Sequence, residues 1–405
     1  MTVHTLHAFK SQAVNFQALP PLSLYIHIPW CVKKCPYCDF NSHEAREAFP
    51  SNKEGGQIRI PEKEYVAALI RDLELALPLI WGRKIHTVFF GGGTPSLLSG
   101  ESVAEILRQV RMLLPFAHDA EITLEANPGT VEAGRFAAYR DAGVNRLSLG
   151  VQSFSDTHLQ ALGRIHSADE GRRAIETAQQ HFDNINLDLM YALPKQTLDQ
   201  ALQDVRTALR YAPQHLSCYH LTLEPNTLFH SNPPALPDDD ASADMQQNIE
   251  QLLAEHGYQH YETSAFAQPK QRSKHNLNYW QFGDYLGIGA GAHSKLSFHD
   301  KIIRQVRHKQ PQTYMRQAAL DMAIQGEHEI PCAELPFEFM MNALRLNQGF
   351  DSTLFQERTG LPLSVMRREL ETAEQRGLLL RDHQRIVPTH MGQRFLNDLL
   401  EIFLC

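Results

Sequence analysis

Nothing in this chain approaches the run of about eighteen apolar residues that a membrane span requires, so no transmembrane segment is expected. Cysteine is scarce, with six in 405 residues, and the first twenty residues hold one lysine and no apolar core. A thiol-poor chain without a secretory leader reads as cytoplasmic and reduced, not as a disulfide scaffold. Positive charge is not in excess either. Lys and Arg number 38 against 46 Asp and Glu, a net charge of −8, which argues against an extended nucleic-acid footprint. With 43% hydrophobic and 21% charged residues the chain is ordinary globular material, long enough for two or three domains.

Half of the few cysteines share one loop. Cys31, Cys35 and Cys38 form C-x3-C-x2-C directly after the apolar run Leu22–Ile28. Three thiolates suit an iron–sulfur cluster, and a four-iron cluster held by three of them leaves one iron without a protein ligand. A small molecule with an amine and a carboxylate can chelate that iron, and S-adenosylmethionine (SAM) is such a molecule. The alternative is zinc, with His27 or His43 as a fourth ligand. Zinc usually brings a second C-x2-C pair, which the scattered Cys218, Cys332 and Cys405 do not supply.

From Leu22 onward, short apolar strands alternate with amphipathic helices. Strands are expected at Leu22–Ile28, His86–Phe90, Glu121–Ala126, Arg146–Val151, Asn184–Met190 and His215–Leu223. Helices are expected near Glu64–Ile80, Ser102–Leu114, Val131–Ala142, Glu170–His181 and Leu198–Ala212. Such alternation predicts an α/β fold with a mostly parallel sheet, whose site lies in loops after the strands' C-terminal ends. The polar residues follow that rule. The cysteine loop follows the first strand, and Gly91-Gly92-Gly93-Thr94-Pro95 follows the second. Glu125 ends the third, Gln152 the fourth, and Asp188 lies near the end of the fifth. Glycines at 92 and 93 permit close backbone approach. Thr94, Glu125, Gln152, Arg164 and Asp188 offer hydrogen bonds to the carboxylate, ammonium and ribose of SAM, and Tyr25 can pack on it.

After Pro225 the texture changes. Ser231–Asp240 reads as a Pro- and Asp-rich loop, Met245–Gly257 as a helix, and the glycine- and aromatic-rich Lys274–Ser294 as site-lining loop. Helices at Phe337–Leu346, Leu363–Arg376 and Met391–Phe403, with a hairpin at Leu378–Val387, suggest a C-terminal winged-helix-like α+β domain. In an acidic chain this is expected to be a cap or docking surface and not a DNA reader. The expected division is an N-terminal extension at 1–21, a barrel at 22–230, a site-lining extension at 231–335 and the C-terminal domain at 336–405.

These residues resemble the radical SAM superfamily, in the branch of oxygen-independent coproporphyrinogen III oxidases and HemW-type haem chaperones. The cysteine and GGGTP motifs are the most specific, and the similarity runs from about Leu22 to the C-terminus. Further family-like runs lie at 125–129, 150–154, 162–166 and 186–190. The resemblance implies a partial (β/α)6 barrel carrying a [4Fe-4S] cluster on Cys31, Cys35 and Cys38. It implies SAM contacts from Tyr25, Gly92, Gly93, Thr94, Glu125, Gln152, Arg164 and Asp188. Two features separate the branches. The oxidases carry another cysteine two residues after the third ligand, where this chain has Phe40. The run His275-Asn276-Leu277-Asn278-Tyr279-Trp280 is similar to the HNxxYW motif of the chaperones. The short arm before Leu22 points the same way.

A haem site needs a planar apolar slot and an axial ligand such as histidine. His275 beside Tyr279 and Trp280 offers both, and His293 is a second candidate. The expected function is haem binding and transfer to an acceptor protein, with cluster and SAM driving or regulating it. The alternatives are coproporphyrinogen III oxidation through a SAM-derived radical, and a zinc-stabilised interaction protein. Whether the chain is an enzyme stays open. Peripheral membrane contact is compatible with the sequence.

Overall fold

A computed structural model describes residues 14–45, 53–54, 57–58, 60–130 and 133–404. Residues 1–13 of the extension, most of the 44–62 insert and the expected helix start at Val131 lie outside the described residues.

The main sheet contains β1 (Leu22–Ile28), β2 (Ile85–Gly92), β3 (Phe116–Ala126), β4 (Arg146–Gln152), β5 (Ile185–Tyr191) and β6 (His215–His220). It continues through β7 (Gln259–Glu262), β8 (Ala265–Ala267), β9 (Asp284–Ile288), β10 (His293–Ser297), β11 (Ile302–Arg307) and β12 (Ile324–Glu329). The spatial order is β7-β8-β6-β5-β4-β3-β2-β1-β9-β10-β11-β12. Strands β1 to β6 pair with their sequence neighbours in parallel, and β9 adds a seventh parallel strand on the other side of β1. This is the α/β architecture expected, a partial (β/α)6 barrel with a C-terminal α+β unit.

Local sequence explains the elements. Strand β1 is covered on both faces, and only Tyr25 among its seven residues is part-exposed, as befits a central parallel strand. Helix Glu62–Ala76 turns Tyr65, Leu69 and Leu73 onto the sheet at helical spacing, with Glu62 and Glu64 at its positive end. Helices Ala168–Gln179 and Leu198–Leu209 each begin with a complete capping box, Ser167 with Glu170 and Thr197 with Gln200.

The glycine-rich segment Lys274–Ser294 departs from the expected loop. It contains helix Lys274–Trp280, capped by Ser273, then β9 and the start of β10. Its glycines serve close packing. A Cβ on Gly287 would meet the His293 carbonyl oxygen at 2.1 Å, and one on Gly289 would meet the His27 carbonyl at 2.5 Å. Glycine inside a strand can mark such an approach as readily as a loop.

The C-terminal unit carries a three-stranded antiparallel sheet of Phe350–Asp351, Leu379–Arg381 and Arg385–Pro388, with the expected hairpin. Its core around Phe339, Phe355 and Leu370 also takes in Val14 and Phe16. The Asn15 amide donates to the Gly360 carbonyl at 3.3 Å. The described end of the N-terminal arm is thus packed against the C-terminal unit. Among the described residues no helix is long and apolar enough to cross a membrane.

A buried ionic knot anchors β9 beside β1. Asp284, with no exposed surface, meets Lys295 at 2.9 Å and Arg83 at 2.8 Å. Burial alone would raise the Asp284 carboxyl, yet Lys295 and Arg83 hold it below the usual range. Asp284→Ala leaves both cations without their carboxylate, so the expected loss is about 3–5 kcal/mol. Urea unfolding reads this directly, and a loss under about 1 kcal/mol, the scale of a surface ion pair, would contradict it.

Candidate functional site

The cysteine loop leaves the C-terminal end of β1. Cys31, Cys35 and Cys38 are all part-exposed free thiols, and the Cys38 amide closes a turn on the Cys35 carbonyl at 3.1 Å. Arg164 reaches across from beyond β4, donating to the Cys35 thiol at 3.7 Å and to the Gly150 carbonyl at 2.8 Å. Ser42 lies 3.8 Å from the Cys38 sulfur. Burial pushes the Cys31 thiol up to about 11, with Thr94 hydrogen-bonding against that shift. Among the described residues no three His, Cys, Asp or Glu side chains already converge at metal-holding distance. The fold gathers the thiols into one loop without forming a finished coordination shell.

The glycine triplet at the end of β2 is shaped by its neighbours. Gly92 has φ +111°, and a Cβ there would strike the His27 ring at 2.4 Å. A Cβ on Gly93 would lie 2.5 Å from the Trp30 carbonyl oxygen. The amides of Gly93 and Thr94 donate to the carbonyls of Ile28 and Trp30 at 2.7 and 2.8 Å, laying this turn along the root of the cysteine loop. Only glycine fits there.

Two part-buried carboxylates face the same interior. Glu125 accepts from the Gly92 amide at 3.3 Å. Burial, reinforced by Asp188, pushes its carboxyl up to about 8. Burial also raises Asp188, which is held by Asn186 at 2.7 Å and Ser148 at 3.0 Å. Arg146 opposes both shifts without cancelling either. Such a pair favours a cationic ligand. Gln152 adopts φ +66° at the bulged end of β4, a conformation that costs a non-glycine residue energy and recurs at functional sites. Its amide and the Arg164 guanidinium both flank Gly150. Tyr25 donates to His27 Nδ1 at 3.0 Å and is raised by burial and then by Glu125. Of the eight residues expected to contact SAM, Gly93, Thr94 and Arg164 bond the cysteine loop or its root, Gln152 and Arg164 flank Gly150, and Glu125 meets the Gly92 amide and the field of Asp188. Three soft donors, a glycine-only cradle and part-buried carboxylates whose raised pKa Arg146 does not cancel fit a cluster with a sulfonium amino acid.

His275 lies elsewhere, beneath this interior. It is 1% exposed, stacked on Phe89, with Nδ1 at 2.7 Å from Thr87 Oγ1 and Nε2 at 3.1 Å from the Tyr279 hydroxyl. Its backbone amide donates to Glu121 at 3.0 Å, and burial lowers its ring to about 3. Both ring nitrogens are engaged within the protein. His27 is similarly occupied, by Tyr25 and by the Asn41 carbonyl at 2.9 Å.

Sequence reading missed several members. Arg146 is the buried cation of the interior, and His215 links Asn186 at 2.6 Å to the Tyr261 hydroxyl at 2.8 Å. Asn41 ties the cysteine loop to distant chain, donating to the carbonyls of Ala290 and Lys309 at 2.9 Å each. Arg146 opens the expected fourth strand and was legible as a charge in an apolar run. The Asn41 bonds had no local signal.

Comparison with known proteins agrees with this geometry. The Radical SAM superfamily pattern matches residues 25–208, and the HemN C-terminal domain matches 330–395. The chain is 50% identical over 390 residues to heme chaperone HemW of Escherichia coli (strain K12), covering 95% of this chain and 99% of that one. It is 35% identical over 395 residues to the mitochondrial radical S-adenosyl methionine domain-containing protein 1 of Bos taurus, covering 93% and 86%. In structure it is similar to the coproporphyrinogen III oxidase HemN of Escherichia coli, with TM-score 0.77 at 23% identity, covering 95% and 90% of the two chains. That likeness concerns the fold. The chain belongs to the HemW family of the radical SAM superfamily, whose proteins work with a [4Fe-4S] cluster and SAM.

Proposed function

We propose that this chain is a haem carrier that binds haem and passes it to an acceptor protein in the cytoplasm. Cys31, Cys35 and Cys38 hold the cluster. Tyr25, Gly92, Gly93, Thr94, Glu125, Gln152, Arg164 and Asp188 hold SAM. When bound, the cluster supplies an electron to the sulfonium. The protein's part is to orient: the Gly92–Thr94 turn offers backbone groups, Glu125 and Asp188 set a negative interior, and Arg164 offsets charge at Cys35. His275, enclosed between Thr87 and Tyr279, serves to position Tyr279.

The observation that carries this reading is a cavity of about 760 Å³ against the cysteine loop, with Phe40 at its wall. Its size is that of a site for a large organic ligand, about 300–1,000 Å³. Phe40 is 63% exposed, a large apolar ring turned outward beside the cluster loop. The identity to heme chaperone HemW supports haem as the ligand. Nucleic acid is not an expected partner of this acidic chain.

The test uses cluster-replete protein prepared without oxygen. Haem titration is expected to saturate near one per chain. Incubation with coproporphyrinogen III, SAM and a reductant is expected to yield no protoporphyrinogen. Product formation would install the oxidase reading in its place.

A further inference from the structure

The cavity beside the cysteine loop is walled from several directions. Lys34 and the stretch from Phe40 to His43 come from the loop, Tyr279 from the helix after Ser273, Tyr285 from β9, His293 from β10, and Lys309 from beyond β11. Aromatic rings thus share a space with cations and imidazoles, the groups a porphyrin needs for its plane, its carboxylates and its iron.

The imidazoles are not equivalent. His27 has both nitrogens hydrogen-bonded. The Nε2 of His43 is buried without a partner, and its ring faces the Lys309 backbone. His293 alone among these three has an exposed ring, and its side chain takes part in no hydrogen bond among the described residues. Burial, then Lys309 and two arginines, lower its pKa, so the ring is neutral at pH 7 and keeps a lone pair for a metal. Its backbone is fixed by the close approach of Gly287.

Among the described residues the exposed Lys309 has no side-chain partner, and the Lys34 ammonium bonds the exposed Phe40 carbonyl at 3.2 Å. Asn41 bonds to the carbonyls of Ala290 and Lys309, and a Cβ on Gly291 would lie 2.2 Å from its amide nitrogen. The cluster loop and the chain bearing His293 are therefore held as one wall.

We propose that this cavity is the haem seat, with His293 as the axial ligand of the iron, Lys309 and Lys34 at the propionates and Phe40 against the macrocycle. The proposal rests on the haem-carrier reading. It gives the ligand role to His293, since His275 is enclosed. It also assigns a use to Phe40, whose ring covers the porphyrin.

Ferric haem titration of the full-length, cluster-loaded chain tests it. His293→Ala is expected to keep its iron and sulfide content, lose the histidine-ligated Soret band and bind haem about tenfold more weakly or worse. In His293→Gly, added imidazole is expected to restore the band, which no structural role for the residue would produce. Lys309→Glu is expected to weaken binding with the band position unchanged. Variants of His293 with wild-type band and affinity would overturn the seat while leaving the carrier reading intact. A wild-type chain that takes up no haem would remove the carrier reading, and the seat with it.

Discussion

Cys35→Ala, prepared without oxygen, is expected to lose both the iron–sulfur absorption and SAM binding. Cys35 is the middle donor of C-x3-C-x2-C, and its sulfur meets Arg164, which also bonds the Gly150 carbonyl beside Gln152. Two remaining thiols cannot hold three corners of a cluster, and SAM chelation needs the fourth. Iron and sulfide content is expected to fall by about an order of magnitude or more, since even loss of an outer-shell partner of a metal site costs about 10–100-fold in affinity. Cys332→Ala is the control, because that thiol is exposed and far along the chain from the loop. Full iron and sulfide in Cys35→Ala, or a stoichiometric zinc in the native chain, would end the cluster assignment.

The second large effect concerns pH and Glu125. Its carboxyl is raised to about 8 by burial and then by Asp188, so at pH 7 it is mostly protonated before any ligand arrives. A cationic ligand prefers the ionised form. Binding must therefore release that proton below pH 8, and affinity for SAM is expected to rise with pH through this range. One coupled proton is worth about tenfold in affinity per pH unit. The chelating amine of SAM releases a proton as well, so the native slope contains both. Glu125→Gln keeps the shape, removes the charge and should lower the slope by one proton. At pH 8.5 it is expected to bind SAM about tenfold to a hundredfold more weakly, the scale of a charge-assisted hydrogen bond. At pH 6 the two proteins should be alike. Equal slopes in calorimetric titrations across pH 6–9 would dismiss Glu125 as the SAM counter-charge.

Much of this was legible because the signals are local. The parallel strands announce themselves as short apolar runs, and β1, β4 and β6 begin where the alternation placed them. Capping boxes at Ser167 and Thr197 mark helix starts within four residues of sequence. The candidate site residues were placed by the same logic, since loops after parallel strands converge by topology alone. The segment 274–294 was misread because its glycines answer to neighbours far along the chain. Gly289 makes room for the His27 carbonyl, and Gly291 for Asn41. Val14 and Phe16 find their partners in the C-terminal core, which no window around them contains.

Residue order alone determined the candidate chemistry: three soft donors in one loop, a glycine turn and carboxylates at strand ends, each legible from a few neighbouring positions. Tertiary structure decided which groups are free to use that chemistry. His275 and His293 look alike as letters, yet one is sealed between Thr87 and Tyr279 and the other opens into the cavity beside the cluster loop. Solvent access and hydrogen-bond partners across the sheet make that difference, and they exist only once β1, β9 and β10 lie side by side.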